Sequence, residues 1–164
     1  MIKRILEVFV GVLCCAIILA ILYPVVETTR THPSRSECLS HVKQCMIAQL
    51  IYSDDYNGRL PPCTSWMDAT QEYIKNDSIY HCPLIKDAKK DEYGYAMNVA
   101  VSSVKTTAYS KPDQVPVLFD SVLLARNACS GFYGFPEFEK RGTSVGFADG
   151  HVKVLSKEFL EGKR

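Results

Sequence analysis

The run VFVGVLCCAIILAILYPVV, Val8 to Val26, contains no charged side chain, and no other feature of the chain restricts its folding as severely. About 20 apolar residues at roughly 1.5 Å each cross the hydrocarbon core of a bilayer, so the run predicts a single membrane-spanning helix. A cleaved signal peptide ends in a small-x-small site, whereas this run ends in LAILYPVVE. A lipoprotein signal is set aside because Leu13, not a small residue, precedes Cys14. Retention as an anchor follows, with Cys14 and Cys15 as small apolar members of the span.

Lys3 and Arg4 precede the run, which by the positive-inside rule favours a cytoplasmic N-terminus and an exported remainder. Arg30 and Arg35 on the far side pull the other way. Pro24 and Pro33 interrupt helix propagation and predict a break between membrane and domain. The expected organisation is an anchor and connector over residues 1–35 and an exported domain over residues 36–164. The 19 Lys and Arg residues offset the 18 Asp and Glu residues. With no basic run either, the electrostatic footprint of a nucleic-acid binder is missing, and the bilayer is the partner the sequence predicts.

SECLSHVKQCMIAQLIYSDDYNG carries apolar residues at the spacing of an amphipathic helix. The predicted core face is Leu39, Val42, Met46 and Leu50, broadened by Ile47 and Ile51. Ser36 serves as the N-cap, Glu37 suits the first turn, and Asn57-Gly58 followed by Pro61-Pro62 ends the helix. A shorter helical piece is expected from Trp66 to Lys75, with Met67, Thr70, Tyr73 and Ile74 inward. Then the period changes to two. YGYAMNVAVSS, VPVLFDSV and TSVGFADGHVKVL read as strands. No helical pattern separates them, so the predicted fold is α+β, with the helix packed on a small antiparallel sheet and long loops around residues 102–114 and 122–142.

Asp149-Gly150 between two alternating runs predicts a two-residue type I′ hairpin. In that register Phe147 faces Val152 and Val145 faces Val154. The turn accounts for Asp149 and Gly150 without chemistry, and His151 needs no catalytic role beside it. Asp54, Asp55 and Asn57 begin like a calcium loop, but the spacing departs from the full pattern and no Glu closes it. No nucleophile elbow, metalloprotease, P-loop or dinucleotide pattern occurs, and His32, His41, His81 and His151 are scattered. The motifs therefore predict no catalytic residue, no metal and no cofactor.

Five cysteines lie beyond the span: Cys38, Cys45, Cys63, Cys82 and Cys129. Their spacing fits no zinc pattern. Cys38 and Cys45 sit two helical turns apart, roughly 10 Å, too far to bridge each other. In an exported domain the expected bridge ties the helix to the loop-rich part, with Cys38 to Cys82 the first choice. Such a bridge would stabilise by about 3 to 5 kcal/mol in the chain-entropy model. The alternative is a set of buried, reduced thiols acting as small apolar residues. The odd count leaves at least one thiol free, and none has the basic neighbour that would make it reactive.

One apolar N-terminal helix, CLSHVKQCMIAQLIYSDDYNGRLPP, the Cys82-Pro83 dipeptide, the YGYAMN strand and the terminal GFADGHVKVL hairpin follow in that order. This order resembles the prepilin-like proteins that carry a His, nine residues and then Asp-Gly near the C-terminus, a bacterial family related to type II secretion pseudopilins. The resemblance runs from Ser36 to Leu155. It implies a pilin-like fold and an envelope location, with other pilin-like or secretion-system proteins as partners, and the first Cys and the Cys-Pro Cys as a recurrent pair. Two positions depart from it. MIKRILEVFVGV lacks the Gly-Phe-Thr-Leu-Ile-Glu processing site, and Glu139 stands where the motif His is expected.

The expected function is that of a membrane-anchored, pseudopilin-like structural or interaction protein, not an enzyme. The rival is a membrane-tethered domain that binds or acts on an envelope glycan or peptide. Its groove would be lined by Tyr52, Trp66, Tyr93, Tyr95, Phe132, Tyr133 and Phe135, with Asp120 and Glu139 converging on it.

Overall fold

The computed structural model describes residues 4, 9, 11–18, 20, 35–85, 89–132 and 142–156. It divides into two units, Met1–Pro33 and Ser34–Arg164. In the first, residues 11–18 are helical with exposed side chains. Among the described residues no helix is long and apolar enough to cross a membrane. Val8, Val10, Leu19 and residues 21–26 of the predicted span lie outside the described residues.

The second unit begins with helix α1, Arg35–Asp55. It starts two residues before Glu37, the first helical residue expected, so Ser36 lies inside it and is not its cap. At the other end Asn57 (φ 56°) and Gly58 (φ 75°) turn left-handed, and the Gly58 N–H donates to the Ser53 carbonyl at 2.7 Å. That bond closes a Schellman motif at the predicted Asn-Gly stop. Val42 and Met46 are fully buried as predicted, while Leu39 and Leu50 are half-buried and Ile47 and Ile51 are exposed. The buried stripe instead runs through Cys38, Val42, Cys45, Met46, Gln49 and Ser53. The rotation has a cause: α1 is packed on two sides, by the sheet and by the short helices after residue 63. Cysteine, a small apolar residue in practice, fills the seam between them.

Helix α2, Trp66–Thr70, continues as a 3₁₀ turn over Gln71–Tyr73. Met67, Thr70 and Ile74 are buried, and Tyr73 is half-buried, as its pattern predicts. The strands are β1 (Tyr95–Asn98), β2 (Pro116–Asp120), β3 (Cys129–Ser130), β4 (Thr143–Phe147) and β5 (Val152–Leu155), in the order β3-β1-β2-β4-β5. Three pairings are antiparallel, as predicted, but β3 runs parallel to β1, which makes the sheet mixed. A two-residue strand inside a long loop carries no alternating pattern, and residues 126–129 are tied to α2 and to Cys63 just before it.

The hairpin is real, but its turn is not type I′. Gly150 alone has positive φ, 85°, and Asp149 does not. The Gly150 N–H donates to the Phe147 carbonyl and the Phe147 N–H to the His151 carbonyl, so three residues form the loop. This is the type I turn with a left-handed bulge glycine. The extra residue shifts the register by one: Gly146 faces Val152, and Val145 faces Lys153. Tight packing of α1 on β4 rests on Gly146, where a Cβ would overlap the Met46 side chain. Lys43 Nζ donates to the Gly150 carbonyl at 2.7 Å and ties the hairpin to α1.

The sheet buries both faces. Tyr95, Met97 and Leu118 join the α1 side of the core, while Ala96, Phe119, Val145, Phe147 and Leu155 form a second cluster with Ala128 and Phe132.

Candidate functional site

Three polar groups from distant parts of the chain meet where the start of α1 reaches the sheet. Cys38 stands in the first turns of α1. Cys82 comes from the Cys-Pro loop, held by its own N–H to the Tyr93 carbonyl at 2.6 Å. Asp120 ends β2, directly opposite Tyr95 of β1 in the register. The Cys38 and Cys82 sulfurs are 3.1 Å apart. These two sulfurs and an Asp120 carboxylate oxygen all lie within 4.8 Å of one another, and all three residues are buried.

The surroundings are built to bring them there. Gly94 (φ 87°) passes so close to the Cys-Pro loop that a Cβ would come within 2.8 Å of the Cys82 Cβ. The His41 ring, one turn beyond Cys38, meets the His81 carbonyl at 3.1 Å through Nδ1, and the His81 ring meets the Glu92 carbonyl at 2.8 Å and stacks on Tyr93. Asp120 Oδ2 accepts from the Ser144 N–H at 2.7 Å, which fixes the carboxylate plane. The Tyr95 hydroxyl, fully buried, makes no hydrogen bond of ordinary geometry.

The electrostatics of the pair follow from burial and contact. Two buried sulfurs this close cannot both be charged. The contact with Cys82, and then burial, push the Cys38 thiol up, while the same contact lowers Cys82. Burial raises the Tyr95 phenol, and the neighbouring thiols and Asp120 add to that shift. Burial alone raises Cys45, whose sulfur is 4.0 Å from the Ile79 carbonyl.

The expected Cys38–Cys82 pair is thus brought together, as two thiols rather than a bond. The disulfide present joins Cys63 and Cys129, with Cα atoms 5.6 Å apart. It belongs to a second junction that sequence reasoning missed. Asn127 (φ 55°) lends its side-chain oxygen to the Met67 and Asp68 N–H groups at 2.7 and 3.3 Å, a helix cap supplied from 60 residues away. Arg126 meets Asp68 at 2.6 Å, Gln71 at 2.9 Å and the Tyr93 hydroxyl at 3.1 Å. The indole N–H of Trp66 donates to the Ala128 carbonyl.

Asp149 and His151 contact each other at the hairpin. Asp149 Oδ1 accepts from the His151 N–H at 3.1 Å and meets its ring at 2.6 Å, while that ring stacks on Phe147 at 4.3 Å. The aromatic groove expected of the rival reading is not assembled from the predicted residues: Trp66 and Tyr95 are fully buried, Tyr93 nearly so. Tyr133, Phe135 and Glu139 lie outside the described residues. Tyr52 of the predicted set lines a surface groove with Asp55, Tyr56, Asn57, Arg59, Leu60, Pro62 and Ser103. There Tyr52 and Tyr56 stack at 4.1 Å, and the Tyr73 hydroxyl donates to Asp55 at 2.8 Å.

Comparison with protein-family models, curated proteins and solved structures returned no match. The fold and its two cysteine junctions are therefore what the functional reading rests on.

Proposed function

We propose that this chain is a membrane-anchored, pseudopilin-like structural or interaction protein of the bacterial cell envelope, with residues 36–164 outside the inner membrane. The observation that carries the reading is the pairing of four of the five cysteines beyond the apolar run: Cys63 bonded to Cys129, and Cys38 in contact with Cys82. Disulfides persist in oxidising compartments and are rare in the cytosol. The helix laid on a sheet supports the pilin-like part of the reading, and the charge-free run from Val8 to Val26 supports the anchor. The domain meets its partners, other pilin-like or secretion-system proteins, through its surface loops.

Intact mass and N-terminal sequencing of membrane-extracted protein, alkylated before reduction, test this directly. A full-length N-terminus with bridged cysteines is expected of a stably anchored, exported protein. A trimmed and methylated N-terminus would mark a processed pseudopilin. Five alkylated thiols beyond the apolar run would overturn the exported orientation.

One observation favours a second reading, a tethered domain that binds an envelope glycan or peptide: the groove beside the stacked Tyr52 and Tyr56 offers aromatic, acidic, amide and guanidinium groups together. Titration with soluble envelope glycan fragments, followed by tyrosine fluorescence, would show saturable binding that Tyr56→Ala abolishes. A flat titration removes this reading.

A further inference from the structure

The buried cluster of Cys38, Cys82 and Asp120 has chemistry that the envelope reading does not use. We infer that, with both thiols reduced, these three side chains bind one divalent cation of the zinc class. The inference stands independently of where the protein resides, because it concerns the reduced pair alone.

Geometry comes first. A tetrahedral zinc ion holds thiolate sulfurs at about 2.3 Å and carboxylate oxygens at about 2.0 to 2.2 Å, so its ligand atoms sit about 3.5 to 3.8 Å apart. Here the three ligand atoms lie within 4.8 Å of one another, and the sulfurs are 3.1 Å apart. Opening the sulfur pair by less than 1 Å gives the tetrahedral edge. The carboxylate is already oriented, since the Ser144 N–H holds Oδ2.

The donor set selects the ion. Two thiolates exclude the hard cations magnesium and calcium, and a carboxylate third ligand disfavours copper(I), which leaves borderline ions such as zinc. An independent observation points to the same ligand. The Tyr95 hydroxyl, fully buried beside the thiols, has the Cys82 sulfur as its polar neighbour and no partner at full hydrogen-bond geometry. A buried hydroxyl with only a thiol sulfur for company is poorly satisfied, and a cation at the cluster offers its oxygen a metal bond or, through a bound water, a full hydrogen bond. The ion also balances charge that burial otherwise penalises. Because the ligands come from positions 38, 82 and 120, binding would clamp α1, the Cys-Pro loop and β2 together, so metal affinity becomes folding stability.

Disulfide formation and metal binding are alternatives for the same two sulfurs. The test therefore uses full-length protein reduced with a phosphine under anaerobic conditions and titrated with Co2+ and then Zn2+. One equivalent of Co2+ should give a thiolate charge-transfer band and tetrahedral d–d bands, which Zn2+ bleaches. X-ray absorption of the zinc form should count two sulfurs and two lighter ligands, and zinc should raise Tm. Cys38→Ser and Cys82→Ser should lose the charge-transfer band. Asp120→Asn, which still accepts from Ser144, should weaken binding by more than the roughly 10- to 100-fold that an outer-shell change costs. The Cys63→Ala/Cys129→Ala variant should keep the spectrum.

No uptake by reduced protein with native circular dichroism would overturn the inference. A zinc site with four sulfurs, or a cobalt spectrum lost only in Cys63→Ala/Cys129→Ala, would overturn it as well. Because the sulfur count is made on unaltered protein, a variant that fails to fold does not shield the inference. Exported location is read from alkylation of untreated protein, so either reading can fail without the other.

Discussion

Two cysteine junctions hold this domain together, and they differ in how completely their polar groups are satisfied. At the junction of α2 with residues 126–130, the sulfurs of Cys63 and Cys129 are bonded, and Arg126, Asn127 and Trp66 all find partners. At the junction of α1 with β1 and β2, the sulfurs of Cys38 and Cys82 touch without bonding, and the buried Tyr95 hydroxyl has the Cys82 sulfur beside it but no partner at full hydrogen-bond geometry. Buried polar groups are normally satisfied, and exceptions concentrate where a protein does something besides fold. The closed junction is thus read as structure and the open one as a site.

The largest effect should separate the two pairs. Cys63 and Cys129 are 66 residues apart, and a loop of that length corresponds to about 4 kcal/mol in the chain-entropy model. Cys63→Ala/Cys129→Ala should therefore lower stability by about 4 kcal/mol in urea unfolding. In reduced, metal-free protein Cys38→Ala/Cys82→Ala removes only two small buried groups and should cost about 1 to 2 kcal/mol. Equal losses in untreated protein would mean that the open pair closes into a bond.

A gap in hydrogen bonding is not a gap in packing, and Gly146 separates the two ideas. It faces Met46 and Val42 of α1, with no room for a Cβ. Gly146→Ala should cost about 1 to 3 kcal/mol through overpacking, read as a lowered Tm with unchanged helix content. A neutral result would show that α1 sits loosely on β4, and the poorly satisfied hydroxyl of Tyr95 would then reflect slack rather than design.

Two buried tyrosines give the sharper, smaller contrast. The Tyr80 hydroxyl donates to the Met67 carbonyl at 3.1 Å and lies 2.8 Å from the Thr70 hydroxyl. Tyr80→Phe should cost about 1 kcal/mol. Tyr95→Phe removes a hydroxyl with no such partner and should be neutral, or stabilising by about 1 kcal/mol, in metal-free protein. A loss at Tyr95 as large as at Tyr80 would show that the hydroxyl is satisfied after all and erase the difference between the junctions.

How much of this could be read from the sequence depends on the range of each interaction. The α1 helix, its Asn-Gly stop, β1, β2 and the hairpin all have local signals, namely period, turn residues and β-branched runs. The hairpin register was missed by one because Asp-Gly fits either a two-residue turn or the last two positions of a three-residue loop, and only the partner strand decides. The α1 face was rotated because Cys45 and Gln49 do not score as core residues, although both are fully buried. The Cys38–Cys82 contact follows from the preference for a bridge between the helix and the loop-rich part, and from the recurrent pair that the prepilin-like resemblance implies, whereas Cys63–Cys129, the Asn127 cap and β3 depend on a loop that carries no periodic pattern. The joining of Asp120 to the thiols was invisible because the three side chains are about 40 residues apart, and no spacing rule spans that distance.

The smallest effect tests the closed junction at its exposed edge. Hydrogen bonds from Arg126, and then from Asn127, lower the Asp68 carboxyl below its usual range. A depressed carboxylate contributes stability that is present above its unfolded pKa and lost as pH falls through the folded one. The loss should therefore begin near pH 4, the ordinary carboxylate value, and grow toward lower pH. Solvent screens this exposed pair, so the contribution should be below about 1 kcal/mol. Asp68→Asn keeps an oxygen for Arg126 but cannot titrate, and its urea midpoint should fall less steeply between about pH 4 and 2 than that of the unaltered protein. Parallel curves would show that the Arg126–Asp68 contact adds nothing to the junction. The bonded sulfurs and the Asn127 cap would then account for the whole difference between the two regions.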